Sequence, residues 1–155
     1  MTASLWLVLA LLVQVMVMHY VIIRNAEPSF VLVAVVWFAI RVNAQRAAIY
    51  GLAAGLCEDI LSIGTGGAWT ISTTLVAIIA GALSRGFFAD SIPLVSLITA
   101  IATLLRSLIF WIVMAFEGYP SGLATTHFHQ ALWEALFNGI VMIAVMLGVR
   151  RYEQL

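Results

Sequence analysis

The chain is poor in the residue types that keep a protein soluble or that build most disulfide and metal sites. It has 155 residues, no lysine, one cysteine and only 9% charged residues, whereas about 25% are charged in an average soluble domain. Seven arginines balance seven acidic residues, and this even balance argues against a basic surface for nucleic acid. A single cysteine, Cys57, excludes an internal disulfide and a cysteine metal cluster.

Most of the chain is apolar. Hydrophobic residues make up 64% of the chain, with a mean hydropathy of +1.11, and a helix needs about 20 apolar residues to cross a bilayer. We therefore predict one integral membrane domain over residues 1–155, an all-α fold with six transmembrane helices in one bundle. The spans are predicted at about 5–23, 28–42, 47–63, 70–85, 93–116 and 130–149. The second and fourth are short, and a re-entrant segment is the alternative for either.

The arginines predict how the bundle is oriented, because basic residues accumulate in cytoplasmic loops. With the N-terminus inside, only Arg24 falls on the outer face. Five arginines then fall on the cytoplasmic face: Arg41, Arg46, Arg85, Arg150 and Arg151. Both termini are therefore predicted to be cytoplasmic.

Small residues recur every four positions on two of the predicted spans. On the third span they are Ala47, Gly51 and Gly55, and Asp59 continues the same spacing. Residues four apart share one helix face, and small residues let another helix backbone come close in a membrane. The predicted helix-packing or partner-binding residues are Gly51, Gly55, Asp59, Ala135 and Gly139.

Three charged groups inside apolar runs need partners: the adjacent pair Glu58 and Asp59, then Arg106, and then Glu134. An aspartate at the centre of a membrane helix costs about 2.5 to 3.5 kcal/mol, so we predict that Arg106 pairs with Asp59 or Glu134. Glu58 projects about 100° away from Asp59 around the helix, and it is expected to snorkel or to border another groove. The pairing is interpreted either as a structural ion pair that fixes helix assembly or as an outward-facing polar site.

Catalysis and metal binding find little support in the sequence. An aspartyl protease needs two carboxylates that share a proton, and no other catalytic signature accompanies Asp59 and Glu134. His127 and His129 form a His-x-His pair, but a metal site needs three or four ligands. We therefore expect no enzyme activity, no metal and no cofactor.

Several motifs resemble the bacterial rod shape-determining MreD family. They are Glu27-Pro28 before a span that ends at Arg41, the run Gly51-x-x-x-Gly55-Leu-x-x-Asp59-Ile-Leu-Ser62, and the glycine-rich turn at 64–67. The resemblance covers residues 24–92, and hydropathy alone carries the remainder. It marks Gly51, Gly55 and Asp59 as the third-span motif and Pro28 as a helix start, whereas Arg106 and Glu134 are inferred from membrane energetics.

The resemblance implies a non-enzymatic subunit of the cell-elongation machinery in the bacterial inner membrane. Such a subunit associates with MreC, which has one membrane helix and a periplasmic domain. It acts with MreB, RodA and a penicillin-binding transpeptidase in side-wall peptidoglycan synthesis. The implied fold is similar to that of the substrate-binding subunits of energy-coupling-factor transporters, although likeness of fold does not carry function.

Two functions follow as hypotheses. The leading one is a scaffold whose small-residue grooves hold the membrane helix of MreC. The alternative is a small-molecule-binding subunit of a vitamin uptake transporter, with an outward cavity near Asp59, Trp69, His127, His129 and Glu134.

Overall fold

The computed structural model describes residues 3–17, 26–62, 64–83 and 89–153. In these ranges the regular structure is helical, without strands, and the prediction of an all-α fold is confirmed. The helices are α1 (Ala3–Val17), α2 (Phe30–Ala39), α3 (Ala44–Leu61), α4 (Ala68–Leu83), α5 (Ile92–Phe116) and α6 (Ala124–Glu153), with a 3-10 turn at Ser121–Leu123 before α6.

Each predicted span overlaps one of these helices, but the ends differ. α2 is ten residues long, shorter than the predicted 28–42, whereas α6 begins six residues before the predicted position 130 and has thirty residues. Positions 18–23, 63 and 84–85 of the predicted spans lie outside the described residues, as do Arg24 and Arg85. Two helices, α5 and α6, are long and apolar enough to cross a membrane, and six crossings remain a prediction.

The described helices expose large apolar side chains on their outer surfaces and enclose several polar groups. Outward-facing apolar residues are widely exposed on the helix surfaces, for example Leu12 at 57%, Ile60 at 81% and Ile101 at 56%. Beside its apolar core, the interior contains polar and charged groups, among them Thr73, Thr99, Thr103, Arg106 and Asn138. A bilayer explains this arrangement, because lipid solvates apolar surfaces and polar groups must then find partners inside the protein.

Glycines hold α3 and α4 in close contact. A Cβ atom on Gly51 would lie 2.5 Å from Ala77 Cβ, and one on Gly55 would lie 2.6 Å from Thr70 Cα. Gly81 makes the same contact from the α4 side, since its Cβ would lie 2.8 Å from Ala47 Cβ. The small-residue face of α3, considered in the sequence as a groove for a partner helix, is therefore filled by α4 of the same chain.

The second small-residue face packs α6 against α5. Ala135 is 5% exposed, and a Cβ atom on Gly139 would lie 3.2 Å from Ser96 Oγ. Ser96 Oγ also donates a hydrogen bond of 2.9 Å to the Gly139 carbonyl. This face is thus occupied within the chain as well.

The short helix α2 stands at the centre of the bundle and contacts each of the other five helices. Val31, Val35 and Val36 have no exposed surface. A helix this buried must have its terminal N–H groups satisfied by protein.

Side chains from three elements cap α2 at its N-terminus. Phe30 N donates to Gln14 Oε1 on α1 at 2.7 Å, and Ser29 N donates to Asn138 Oδ1 on α6 at 2.7 Å. Leu32 N donates to Ser29 Oγ at 3.2 Å. The start of α2 is therefore fixed inside the bundle.

The glycine contacts predict a site-specific penalty for a methyl group. Gly55→Ala should lower the free energy of unfolding by about 1 to 3 kcal/mol, because the new Cβ overlaps the backbone of α4. Gly148→Ala is the matched control, since nothing lies within 4 Å of its Cβ position. At position 148, alanine should instead stabilise the helix by about 0.5 to 1 kcal/mol relative to glycine. Thermal unfolding in detergent measures both, and equal melting temperatures would contradict the packing described.

Candidate functional site

A charged cluster, defined as Glu58, Arg106 and Glu134, lies inside the bundle near the end that contains Thr65. We name this the Thr65 end, and the opposite end the Arg41 end. Arg106 Nη1 donates to Glu58 Oε1 at 2.9 Å and Oε2 at 3.2 Å, while Nη2 donates to Glu134 Oε1 at 2.9 Å. The Arg106 side chain is 3% exposed, against 13% for Glu58 and 21% for Glu134. One guanidinium thus joins α3, α5 and α6.

Helix α4 completes the surroundings of the cluster. The guanidinium carbon of Arg106 lies 4.7 Å from the ring centroid of Trp69, close enough for a cation–π interaction. Thr73 Oγ1 donates to Glu58 Oε2 at 3.1 Å. Side chains of four helices, α3 to α6, therefore meet at the charged cluster.

The structure corrects the carboxylates assigned to Arg106. Of the two considered in the sequence, Glu134 is a partner and Asp59 is not, and the second partner is Glu58. The Gly51–Gly55 spacing was extended to position 59, and Glu58, three residues after Gly55, was expected to snorkel or to border another groove. Since positions i+3 and i+4 flank the same helix face, that spacing was the signal by which Glu58 could have been found.

Asp59 instead caps the next helix. Its carboxylate accepts hydrogen bonds from Thr65 Oγ1 at 2.7 Å, Thr70 N at 2.8 Å and Trp69 N at 3.3 Å, and also from Thr70 Oγ1. These backbone N–H groups belong to the first turn of α4, which has no internal acceptors for them. A negative charge at a helix N-terminus also interacts favourably with the helix dipole. The carboxylate fixes the turn between α3 and α4.

The two histidines have different surroundings. His127 Nε2 lies 2.8 Å from Ser107 Oγ and 3.1 Å from the Ser107 carbonyl, and its ring stacks at 5.8 Å on Phe110. It therefore joins α6 to α5, whereas His129 is exposed. Over the described ranges, no group of three or more His, Cys, Asp or Glu side chains is arranged to hold a metal ion.

A cavity of about 470 Å³ lies beside the charged cluster, above the start of α2. All three cluster residues and Trp69 line it, and polar groups from other elements surround them: Gln14, Glu27, Ser29, Ser62 and Gln130. The cavity expected near Trp69 and Glu134 is thus present, but Asp59, His127 and His129 are not part of its lining. The lining contains three carboxylates and one guanidinium, so its formal charge is negative.

Comparison with known families gives a match that extends over the whole chain. Residues 1–155 match the family model described as rod shape-determining protein MreD. No curated protein and no solved structure matches the chain. The similarity in fold to energy-coupling-factor subunits therefore stays an expectation.

Removal of the buried guanidinium should destabilise the bundle strongly. Arg106→Met leaves two carboxylates facing each other, and breaking a buried ion pair costs about 3 to 5 kcal/mol. Arg46→Met is the control, because Arg46 is exposed. This variant should melt within a few degrees of the parent chain. Adding Glu58→Gln and Glu134→Gln to Arg106→Met should recover part of the loss. An Arg106→Met protein with the parental melting temperature would refute the pairing.

Asp59 should act on α4 locally. Loss of a side-chain cap costs about 0.5 to 2 kcal/mol, so Asp59→Ala should lower stability by that amount and speed amide hydrogen exchange in the first turn of α4. Asp59→Asn keeps an acceptor oxygen and should lose less. Asp90→Ala, at an exposed position, is the control. Unchanged exchange at Trp69 and Thr70 in Asp59→Ala would show that the cap is dispensable.

Proposed function

Because this chain belongs to the rod shape-determining MreD family, we propose that it is a non-enzymatic membrane scaffold of the bacterial cell-elongation complex. Membership itself gives a role in determining rod shape. The proposal goes further and assigns the chain to binding MreC, and through it to acting with MreB, RodA and a penicillin-binding transpeptidase in side-wall peptidoglycan synthesis.

The observation that carries the scaffold proposal is how Arg106 uses its donors. Both of its terminal nitrogens bind carboxylates of neighbouring helices, and its ring contact is with Trp69 of the same chain. Charge used in this way supports a fixed arrangement of helices. A rigid bundle in the membrane suits a subunit that positions other proteins.

The described arginines outside the cluster support the proposed orientation. Arg41 donates to the Ala89 carbonyl and Arg150 donates to the Asp90 carbonyl, so the two lie at the same end of the bundle. Arg46 shares a surface with Arg41 there, and Arg151 follows Arg150. Basic residues gather on the cytoplasmic side, so we assign the Arg41 end to the cytoplasm and the Thr65 end to the outer face of the inner membrane. This multi-pass orientation places both termini in the cytoplasm.

One observation favours a second candidate, the small-molecule-binding subunit of an uptake transporter. The cavity of about 470 Å³ falls within the range of about 300 to 1,000 Å³ typical of ligand sites. A defined small molecule that copurifies with the chain at equal stoichiometry, identified by native mass spectrometry, would support that candidate over the scaffold.

Complementation tests the scaffold proposal. In a rod-shaped bacterium depleted of its own MreD protein, a tagged copy of this chain should restore rods and retain the host's MreC during purification. Gly148→Ala should do the same, whereas Arg106→Met should fail at both because its helices separate. Microscopy and quantitative immunoblotting measure the outcome. If the parental chain accumulates in the membrane and restores rods without retaining MreC, binding to MreC is wrong.

A further inference from the structure

One face of α6 borders two separate spaces next to α1. At the Thr65 end, Gln130 and Glu134 line the polar cavity. Nearer the Arg41 end, Val141 and Val145 line an apolar cleft of about 170 Å³. These four positions are 4, 7 and 4 residues apart, which places them on one side of a helix. We name the surface formed by the cavity and the cleft the α1–α6 surface.

The α1–α6 surface lies between two helices that each pack mainly on another helix. In the described part of the chain, α6 packs mainly on α5, and α1 packs mainly on α2. The cleft between them is lined by α1 residues such as Leu9 and Val13, by α6, and by Val33 and Trp37 of α2. The small-residue faces of α3 and α6 are, by contrast, filled from within the chain.

Among the described residues, the polar part of this surface has more carboxylates than cationic groups. Glu27, Glu58 and Glu134 line the cavity together with a single guanidinium, that of Arg106. Arg106 is buried and divides its donors between Glu58 and Glu134. Carboxylates at membrane depth are costly without a counter-charge, so the cavity is complementary to a cationic group.

The apolar part has an unsatisfied donor. The indole Nε1–H of Trp37 is buried and has no hydrogen-bond acceptor among the described residues. Buried donors without acceptors are uncommon in native proteins. An oxygen atom supplied from outside the chain, such as a hydroxyl or amide oxygen, would satisfy it.

We propose that the α1–α6 surface docks one membrane helix of a partner protein, with a cationic side chain of that helix in the polar cavity and apolar side chains in the cleft. The proposal rests on the scaffold function and names the surface that would perform it. Glu134 precedes Val141 and Val145 by 7 and 11 residues, or about 10 and 16 Å along a helix. The partner's lysine or arginine should therefore lie about two to three turns outward from its apolar contacts.

Cysteine crosslinking locates the partner helix. In a Cys57→Ala background, Val13→Cys and Val141→Cys should crosslink to single cysteines on one face of the partner's membrane helix. Leu52→Cys on α3 and Ile101→Cys on α5 are controls, because both positions are exposed on other faces. Crosslinks at the controls alone, in a complex that still copurifies, would overturn the docking surface and leave the scaffold function intact.

Charge substitution tests the cationic contact. Glu27→Gln keeps the charged cluster intact and should reduce partner retention about tenfold, the effect of about 1.4 kcal/mol. Glu117→Gln is the matched control, since Glu117 is exposed and outside the cavity lining. Replacing each lysine or arginine of the partner's membrane segment with methionine should identify one position with the same loss.

The outcomes separate the two proposals. Unchanged retention for Glu27→Gln and for every cation replacement would overturn the cationic contact. A lipid or small molecule that native mass spectrometry finds in the assembled complex, and that Glu27→Gln releases without loss of the partner, would also overturn it. If the parental chain retains no partner at all, the scaffold function itself fails.

Discussion

The burial of the Arg106 guanidinium is the constraint on which the rest of the structure depends. A cation in a membrane bundle is tolerated only where carboxylates and hydrogen-bond acceptors surround it. Glu58, Glu134 and Trp69 supply these contacts from three other helices. These contacts tolerate only a narrow range of distances and angles. They therefore fix how α3, α4, α5 and α6 are rotated relative to one another.

The short α2 gives the bundle both its core and its cavity. It is ten residues long and begins well inside the protein, where Gln14 and Asn138 accept hydrogen bonds from its first N–H groups. Asn138 also donates to Thr103 Oγ1 at 3.0 Å, which links this cap to α5. Glu27 and Ser29, just before α2, and Val31 in its first turn line the polar cavity. The start of α2 is therefore both capped by polar side chains and next to the cavity beside the charged cluster.

The glycine contacts change where a partner can bind. In the sequence, a face with Gly51 and Gly55 is typical of a site for another helix, and the structure does use it for helix contact. The helix is α4, however, joined to α3 by the turn that Asp59 stabilises. In the scaffold proposed above, the small residues pack the helices of the chain itself, and the proposed partner surface is the α1–α6 surface.

The sequence by itself determined the all-helical class of the protein and its family, it placed each predicted span over one of the described helices, and it identified Arg106 and Glu134 as charges that need partners. Hydropathy, helix period and the cost of charge in lipid act on single residues or on neighbours along the chain, so they can be read without coordinates. Only the tertiary structure decided that Glu58 rather than Asp59 binds Arg106, that α4 fills the glycine face, and where the cavity lies. Each of these depends on the rotation of helices distant in sequence, and one residue changes the direction of a side chain by about 100°.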